Sequence, residues 1–170
     1  MKPLAVFSPA TWALLTFAFL GSASALEASD EAVVSEKFTD WELFCQPGGE
    51  CRISQRLVVE DSGETVFLLT ALRSNEGGPY VGIVSVPLRG DLAPGIELRV
   101  DSRKPYQLLY ETCDPAGCHA GFPLEGGVLA DFRAGTTARF RVWTTKDNPV
   151  DIEVSLIGFT RAFAALGERS

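Results

Sequence analysis

Apolar and polar residues alternate with a period of two along much of the chain after residue 37. In GIELRVD, for example, Ile96, Leu98 and Val100 alternate with charged residues, and TARFRVWTT and VDIEVSLIGF follow the same rule. This period is typical of a β-strand that buries one face and exposes the other. ETVFLLTALR and YVGIVSVPL are more continuously apolar and predict strands that are more deeply buried.

Turn-forming residues separate these segments. Motifs rich in Gly, Pro, Asn and Asp recur between them, among them QPGGE, DSGE, NEGGP, RGDLAPG, DPAG and KDNP. KFTDWELFC, CRISQRLVVE and YQLLYETC complete the set of expected strands. Short strands at this spacing predict an all-β fold, an antiparallel β-sandwich of about 8 strands.

Two segments are candidates for helices. Near the C-terminus, Phe159, Phe163 and Leu166 recur at helical spacing. Gly167 follows them as a stop signal, so a short C-terminal helix is expected to cover one end of the sandwich. LEGGVLADFRAG is a weaker candidate because its glycine pair makes a full helix costly.

The N-terminal region has the layout of a secretory signal. Lys2 gives a positive start, residues 10–20 are mostly apolar, and Ala23-Ser24-Ala25 is a small-x-small sequence of the kind that signal peptidases cut. An uncleaved anchor is the alternative, although the apolar run is shorter than the roughly 18 residues of a spanning helix. After cleavage no transmembrane segment is expected.

These features divide the 170 residues into three parts. Residues 1–25 are predicted to be a signal peptide and residues 26–36 an acidic, flexible lead-in. Residues 37–170 are predicted to form a single β-sandwich domain, a length that suits one domain.

The chain is acidic, with 15 Lys and Arg against 22 Asp and Glu and a formal net charge of −7. Because phosphate binding requires a basic face, nucleic acid is not expected as a partner. A local basic patch around Arg99, Arg103 and Lys104 stays open as an alternative.

The four cysteines of an exported chain favour disulfides. Four cysteines allow three pairings, and local spacing favours Cys45 with Cys51 and Cys113 with Cys118. QPGG suits a type II turn and DPAG a type I turn. The two cysteines of each pair would therefore lie opposite each other on paired strands, at a distance that suits a disulfide.

The stretch CDPAGCH also places the only histidine of the chain, His119, directly after the second cysteine. A haem attachment site would have two residues between the cysteines instead of four, and the mature chain offers no second histidine or methionine as an axial ligand. Zinc and a redox-active disulfide are further alternatives that an oxidising compartment and the strand-rich setting disfavour. We therefore expect no cofactor, and we interpret His119 as the first residue of the returning strand.

The sequence shows no recognisable catalytic set. A serine triad would need His119 as its base, and the chain after residue 25 has no G-x-S-x-G, P-loop or G-x-G-x-x-G motif. Because 22 acids always offer pairs, a small periplasmic hydrolase that uses paired carboxylates is the alternative function. Trp41 and Trp143 are candidates for stacking on a ligand, although packing is the more frequent role.

Six motifs occur in order along the chain: FTDWELFC, CRISQ, VPL, GIELRVD, CDPAGCHA and VSLIGFTRAFAAL. Together they resemble the invasion-associated locus B family of exported bacterial proteins over about residues 38–166. The residues that match the family pattern are Asp40, Trp41, Cys45, Cys51, Gln55, Pro87, Asp101, Cys113, Gly117, Cys118, Ala120, Gly158 and Phe159. The pattern does not fix the position of His119.

The resemblance implies export to the periplasm, the outer membrane or the exterior of the cell. The family is named for a member linked to host-cell invasion by a Gram-negative pathogen, and the resemblance brings no catalytic residues with it. We therefore expect a non-enzymatic exported β-sandwich that either binds a protein partner, in the cell envelope or on a host cell, or supports the cell envelope. A sheet face or a strand edge is the expected contact surface.

Overall fold

The computed structural model describes residues 33–75 and 77–169. These residues form β1 (Val34–Phe38), β2 (Trp41–Cys45), β3 (Cys51–Val58), β4 (Thr65–Arg73), β5 (Tyr80–Val86), β6 (Ile96–Val100), β7 (Tyr106–Leu108), β8 (Thr112–Asp114), β9 (Gly117–Pro123), α1 (Gly126–Ala134), β10 (Thr137–Thr145), β11 (Asn148–Ser155) and α2 (Phe159–Arg169). The predicted signal peptide and most of the predicted lead-in lie outside the described residues. The end of the lead-in, residues 34–36, belongs to β1.

The strands form two antiparallel sheets. The first has seven strands in the order β1-β2-β3-β4-β5-β9-β8, and the second has four in the order β11-β10-β6-β7. The chain moves to the second sheet after β5, returns after β7, and moves again after α1. The all-β class, the antiparallel arrangement and the C-terminal helix are thus confirmed, with eleven described strands where about 8 were expected.

Two segments that alternate like single strands are each divided in the structure. KFTDWELFC folds into the β1–β2 hairpin because Thr39 adopts a φ of 59°, and Phe38 pairs with Trp41 across the turn. YQLLYETC is divided after Leu108, because β7 pairs with β6 whereas β8 pairs with β9 in the other sheet. The expectation of one strand in each segment was therefore wrong.

The core lies between the two sheets. Buried and less buried residues alternate along β2, β3 and β6, as the period of two predicts. Phe67 of β4 meets Phe140 of β10 with ring centroids 5.0 Å apart, and both side chains are fully buried. Each such side chain contributes about 2 kcal/mol through burial, so this contact helps to hold the sheets together.

Helix α2 covers part of the seven-stranded sheet and contacts β1, β2 and β3. Its buried residues lie on one face and are Phe159, Ala162, Phe163 and Leu166. Gly167 does not end the helix, contrary to the expectation, because α2 continues to Arg169. A Cβ at Gly167 would lie 3.2 Å from the hydroxyl of Tyr80, so the glycine allows the helix to pass close to β5.

Helix α1 forms in spite of its glycine pair and buries Phe132. The ring of Phe132 packs edge-on against Phe159 of α2, with centroids 5.2 Å apart. This tertiary contact offsets the weak helix propensity of the segment. Neither described helix is long and apolar enough to cross a membrane.

Candidate functional site

The Cys45–Cys51 disulfide closes the β2–β3 hairpin. The two residues are direct partners in the strand register, and both are buried. Between them, the N–H of Gly49 donates to the carbonyl of Gln46 over 3.1 Å, and Gly48 has a φ of 96°. This is the predicted type II turn, which needs a positive φ at its third residue.

The Cys113–Cys118 disulfide closes the β8–β9 hairpin in the same way. In its turn, the Asp114 carboxylate accepts a hydrogen bond of 2.7 Å from the N–H of Ala116. This hydrogen bond is the main cause that lowers the pKa of Asp114, followed by a contact with His119. The turn is therefore fixed by its own aspartate as well as by the disulfide.

Gly117 brings the second turn against the end of β5. Its φ is 149°, and a Cβ at this position would overlap the carbonyl oxygen of Val86 and lie 3.9 Å from Cα of Pro87. Ala120, three residues further along β9, is fully buried. These family-pattern residues, Pro87, Gly117 and Ala120, thus serve close packing between β5 and β9.

His119 is the third residue of β9, not the first as expected, and it has two polar neighbours. Its Nδ1 lies 2.8 Å from Ser85 Oγ, and its Nε2 lies 3.3 Å from Asp114 Oδ2. Ser85 and His119 are direct partners between β5 and β9. The sequence gives no sign of this cluster, because strand pairing over 34 residues creates it.

The serine, histidine and carboxylate of this cluster are the three side chains that hydrolases use for acyl transfer. Ser85 and His119 alternate along their strands with buried residues, so they lie on the outer face of the sheet. Backbone N–H groups in the β5–β9 ladder serve strand pairing, whereas an oxyanion hole needs donors that converge on a bound substrate. The cluster therefore combines the residue types of a triad with a position on the outer face of the sheet.

A buried amide, Gln55, connects β3 with the β1–β2 turn and the end of β11. Its Nε2 donates to the carbonyls of Asp40 at 2.8 Å and Ser155 at 3.2 Å, and its Oε1 accepts from the N–H of Ser155 at 3.0 Å. The indole of Trp41 donates to the same Ser155 carbonyl at 3.0 Å. The Ser155 hydroxyl donates to the Asp40 carboxylate at 2.6 Å and accepts from the N–H of Ile157. We call these residues the Gln55 network.

Gly158 and Phe159 complete this junction from the other side. Gly158 has a φ of 95°, and a Cβ there would overlap the carbonyl oxygen of Phe38. Phe159 is fully buried and packs edge-on against Trp41 with ring centroids 5.1 Å apart. The structure therefore brings Asp40, Trp41, Gln55, Gly158 and Phe159, which are up to 119 residues apart in sequence, into one structural cluster.

Asp101 organises a second junction, between β6 and the start of β10. Its carboxylate accepts hydrogen bonds from the N–H groups of Thr136 and Thr137 and from the Thr136 hydroxyl, at 3.0–3.3 Å. Arg103 forms an ion pair with it at 2.9 Å. The hydrogen bond from Thr137 is the largest cause that lowers the pKa of Asp101. The charged form of this carboxylate is thus the one that the fold binds.

The same ion pair extends to helix α1. Arg103 also contacts the carboxylate of Asp131 at 3.2 Å, and the hydroxyl of Tyr106 donates to Asp131 at 2.7 Å. This hydrogen bond is the main cause that raises the pKa of Tyr106. The sequence alone indicates no role for Tyr106 or Asp131, because their contact depends on how α1 packs.

The outer face of the four-stranded sheet carries paired charges. A cavity of about 390 Å³ lies there between Glu97, Arg99, Asp101, Ser102, Arg139 and Arg141. Arg99 pairs with Glu97 at 3.1 Å, and Arg141 pairs with Asp151 at 2.7 Å. The basic patch considered around Arg99 is therefore a mixed surface in which the arginines have acidic partners.

An apolar groove lies at the end of the sandwich where β5 and β10 finish and β4 and β11 begin. We call it the end groove; its volume is about 290 Å³, and its apolar wall includes Val86, Pro87, Tyr110, Val142, Trp143 and Ile152. The β5–β6 loop is fixed over it by a hydrogen bond of 2.9 Å from Asp91 N–H to the carbonyl of Trp143. Of the two tryptophans considered for stacking, Trp41 is a core residue and Trp143 is half-buried in the groove.

Comparison with known proteins identifies the family of this chain. Residues 41–167 match the model of the invasion associated locus B (IalB) protein family. The chain belongs to this family. Two proteins named invasion protein B homologues, from Brucella abortus strain 2308 and Brucella abortus biovar 1 strain 9-941, are each 32% identical to it over 156 residues, which cover 86% of this chain and 88% of theirs.

The IalB fold is also known from a solved structure. The crystal structure of invasion associated protein b from Bartonella henselae superimposes with a TM-score of 0.70 and 23% identity. The alignment covers 79% of this chain and 96% of that chain, so the two share their fold. The matched region of the family model contains both disulfides, the Gln55 network apart from Asp40, and the end groove.

Proposed function

We propose that this IalB-family protein is exported, is not an enzyme, and acts by binding a protein partner in the cell envelope or on a host cell. The observation that carries the proposal is the use of the family-pattern side chains within the fold. Gln55 and Asp101 direct their polar atoms to backbone groups of the same chain, and Phe159 is buried. Residues with these contacts stabilise the fold, so we assign the binding function to other residues, those at the surface.

Export is supported by two features that point the same way. The N-terminal 25 residues have the layout of a signal peptide. All four cysteines are paired in local disulfides, which persist in oxidising compartments such as the periplasm. The names of the relatives, which describe invasion proteins, are consistent with a role outside the cytoplasm.

The alternative, a hydrolase with paired carboxylates, has less support. A carboxyl group that acts as general acid at neutral pH needs a raised pKa. The pKa values of Asp101, Asp114 and Asp151 are instead lowered by hydrogen bonds from Thr137, Ala116 and Arg141 respectively. These three carboxylates are therefore held in the charged form that suits structural contacts.

Export is tested by expressing the full chain and a chain that starts at Leu26 in the same Gram-negative host. We expect the full chain to be recovered from the periplasmic fraction with a new N-terminus at Leu26 and both disulfides formed by non-reducing peptide mapping. The chain that starts at Leu26 should stay in the cytoplasm with reduced thiols. Recovery of the uncleaved full chain from the cytoplasm would contradict export.

Partner binding is tested by crosslinking in the native cell. A photo-reactive residue at Leu88, which is 58% exposed beside the end groove, should give a discrete adduct with one envelope or host protein. The same residue at Glu168, on the exposed side of α2, provides the matched control position. Equal, diffuse adducts from both positions would argue against a specific binding surface.

A catalytic role of the Ser85–His119 contact is tested by Ser85→Ala and His119→Ala. Both side chains lie on the outer sheet face, so we expect each substitution to lower stability by about 1 kcal/mol or less and to leave the Leu88 adduct unchanged. If the wild type shows a hydrolase activity that a folded variant loses while it keeps the adduct, the result would instead favour catalysis by the Ser85–His119 cluster.

A further inference from the structure

The end groove combines an apolar wall with exposed apolar neighbours. Nine large hydrophobic residues are exposed in the described part of the chain, and four of them belong to this region. Leu92 and Val150 line the groove, and Leu88 and Leu109 are next in sequence to lining residues. Their exposed fractions range from 38% to 67%. Single exposed apolar residues need no explanation, but a group around an apolar groove marks a binding surface.

The loops around the groove are acidic. The β3–β4 hairpin, the β5–β6 loop and the β10–β11 turn carry five acids: Glu60, Asp61, Glu64, Asp91 and Asp147. The same loops carry two basic residues, Arg89 and Lys146. Of these residues Glu64 and Arg89 line the groove itself, so the excess of acids over bases, five against two, lies in the loops that surround it.

These acids lack the partners that other acids of the molecule have. Within the described residues, none of the five forms an ion pair with Lys or Arg. On the four-stranded sheet, by contrast, Asp151 and Glu153 pair with Arg141 and Arg139 at 2.7 and 2.9 Å. Within the described residues the five carboxylates are thus held in no ion pair, and the net negative charge of the loops is available to a partner.

We propose that the end groove binds a cationic peptide segment of a partner protein, with an apolar side chain in the groove and Lys or Arg side chains against the acidic loops. This inference rests on the proposed function and names the chemistry of the partner. Complementary charge steers such a segment to the groove, and a buried apolar anchor provides most of the affinity. An acidic segment would be repelled by the loops.

A second copy of the same chain suits this groove less well. The protein has a net charge of −7, and a symmetric contact through the groove would place two acidic rims against each other. Apolar lipid chains would pack against the apolar wall of the groove, but the five acids would contribute nothing to their affinity. The charge of the loops therefore favours a basic peptide over both.

The test uses three synthetic hexapeptides, KKLFKK, EELFEE and KKSSKK, and isothermal titration calorimetry with the purified protein. We expect KKLFKK to bind and the other two to bind at least about tenfold more weakly, because one lacks the charge and one the anchor. Raising the ionic strength from about 0.01 to about 0.1 M shortens the Debye length from about 30 to about 10 Å and should weaken KKLFKK binding severalfold.

Matched variants separate charge from packing. Glu64→Lys at the groove should weaken KKLFKK binding by about fivefold, whereas Glu168→Lys on α2 changes the net charge equally and should have little effect. Val150→Ser should weaken binding, whereas Val34→Ser on β1 should not, although the two valines are 39% and 40% exposed. Thermal melts of all four variants verify that they are folded.

Three results would overturn the inference. EELFEE or KKSSKK could bind as tightly as KKLFKK, Glu64→Lys and Glu168→Lys could behave alike, or light scattering could show a dimer that Val150→Ser dissociates. A Leu88 adduct in cells that persists unchanged in Glu64→Lys would also refute the cationic partner while leaving the proposed function intact. If the protein with the photo-reactive residue at Leu88 and no other substitution gives no adduct, the proposed function itself would be refuted.

Discussion

Replacing Gln55 with alanine removes the side chain that joins three parts of the fold. The amide makes three hydrogen bonds to backbone groups of Asp40 and Ser155, and the residue is only 8% exposed. In the variant, the N–H of Ser155 loses its amide partner inside the protein. The Ser155 carbonyl keeps the indole of Trp41 as a donor, so the loss there is smaller.

The expected cost follows from these contacts. A buried donor left without a partner costs about 1–3 kcal/mol, and a lost hydrogen bond to the Asp40 carbonyl costs about 1 kcal/mol. The missing side-chain volume adds a smaller packing loss. We therefore expect Gln55→Ala to lower the free energy of unfolding by about 3 kcal/mol, a large fraction of the stability of a small domain.

Urea unfolding followed by tryptophan fluorescence measures this loss, because the indole of Trp41 belongs to the same network. With an m-value of about 2 kcal/mol/M, the midpoint should fall by about 1.5 M. Arg56→Ala changes the next residue of β3, which is exposed, and is the matched control with an expected change below about 0.5 kcal/mol. A loss below about 1 kcal/mol for Gln55→Ala would refute the reasoning, since the amide would then be replaceable by water.

Three further predictions concern the turns and Asp101. Gly158→Ala should lower the melting temperature strongly, because φ at this position is 95° and a Cβ would overlap a backbone carbonyl. At Gly63, φ is 68° and the space around the residue is open, so Gly63→Ala should cost only about 1–2 kcal/mol. Equal losses in the two variants would contradict the steric argument. Replacing both Cys113 and Cys118 with serine should lower the free energy of unfolding by about 2 kcal/mol, which is the loop entropy of a short disulfide ring. Urea unfolding under non-reducing conditions measures this loss. An unchanged midpoint would show that the turn does not need the disulfide. The pKa of Asp101 is lowered from 3.8 in the folded state, so its contribution to stability is complete above the unfolded pKa and is lost as the pH falls through the folded pKa. The stability gap between the wild type and Asp101→Asn should therefore be constant near neutral pH and narrow below about pH 4, and a gap that is flat down to pH 2 would count against the role of the charge.

Features that depend on local sequence were predicted well. The alternation in TARFRVWTT places Ala138 and Phe140 inside, and both are fully buried. The spacing of Phe159, Phe163 and Leu166 predicts the buried face of α2. In each case the period of the element alone determines which side chains face the core.

Features that depend on distant pairing were not predicted. The positive φ of Thr39 divides an alternating segment, and the single turn-forming residue in KFTDWELFC, Asp40, does not interrupt the alternation. The contact of His119 with Ser85 requires the register of β5 with β9. The partners of Gln55 come from a turn and a strand end 15 and 100 residues away. Alternation shows that a position is buried but not which distant groups it meets.

The Gln55 network and the end groove are made of different residues, so stability and binding should respond to different substitutions. Gln55 acts in the interior of the sheet, whereas Glu64 and Val150 lie in loops or strand ends whose side chains are exposed or only line the groove. A change at Glu64 alters the charge that a partner meets without removing an internal hydrogen bond of its side chain, while Gln55→Ala does the reverse. The two effects should therefore be separable: Glu64→Lys should change peptide affinity at constant unfolding midpoint, and Gln55→Ala should shift the midpoint while the protein that remains folded binds KKLFKK with unchanged affinity.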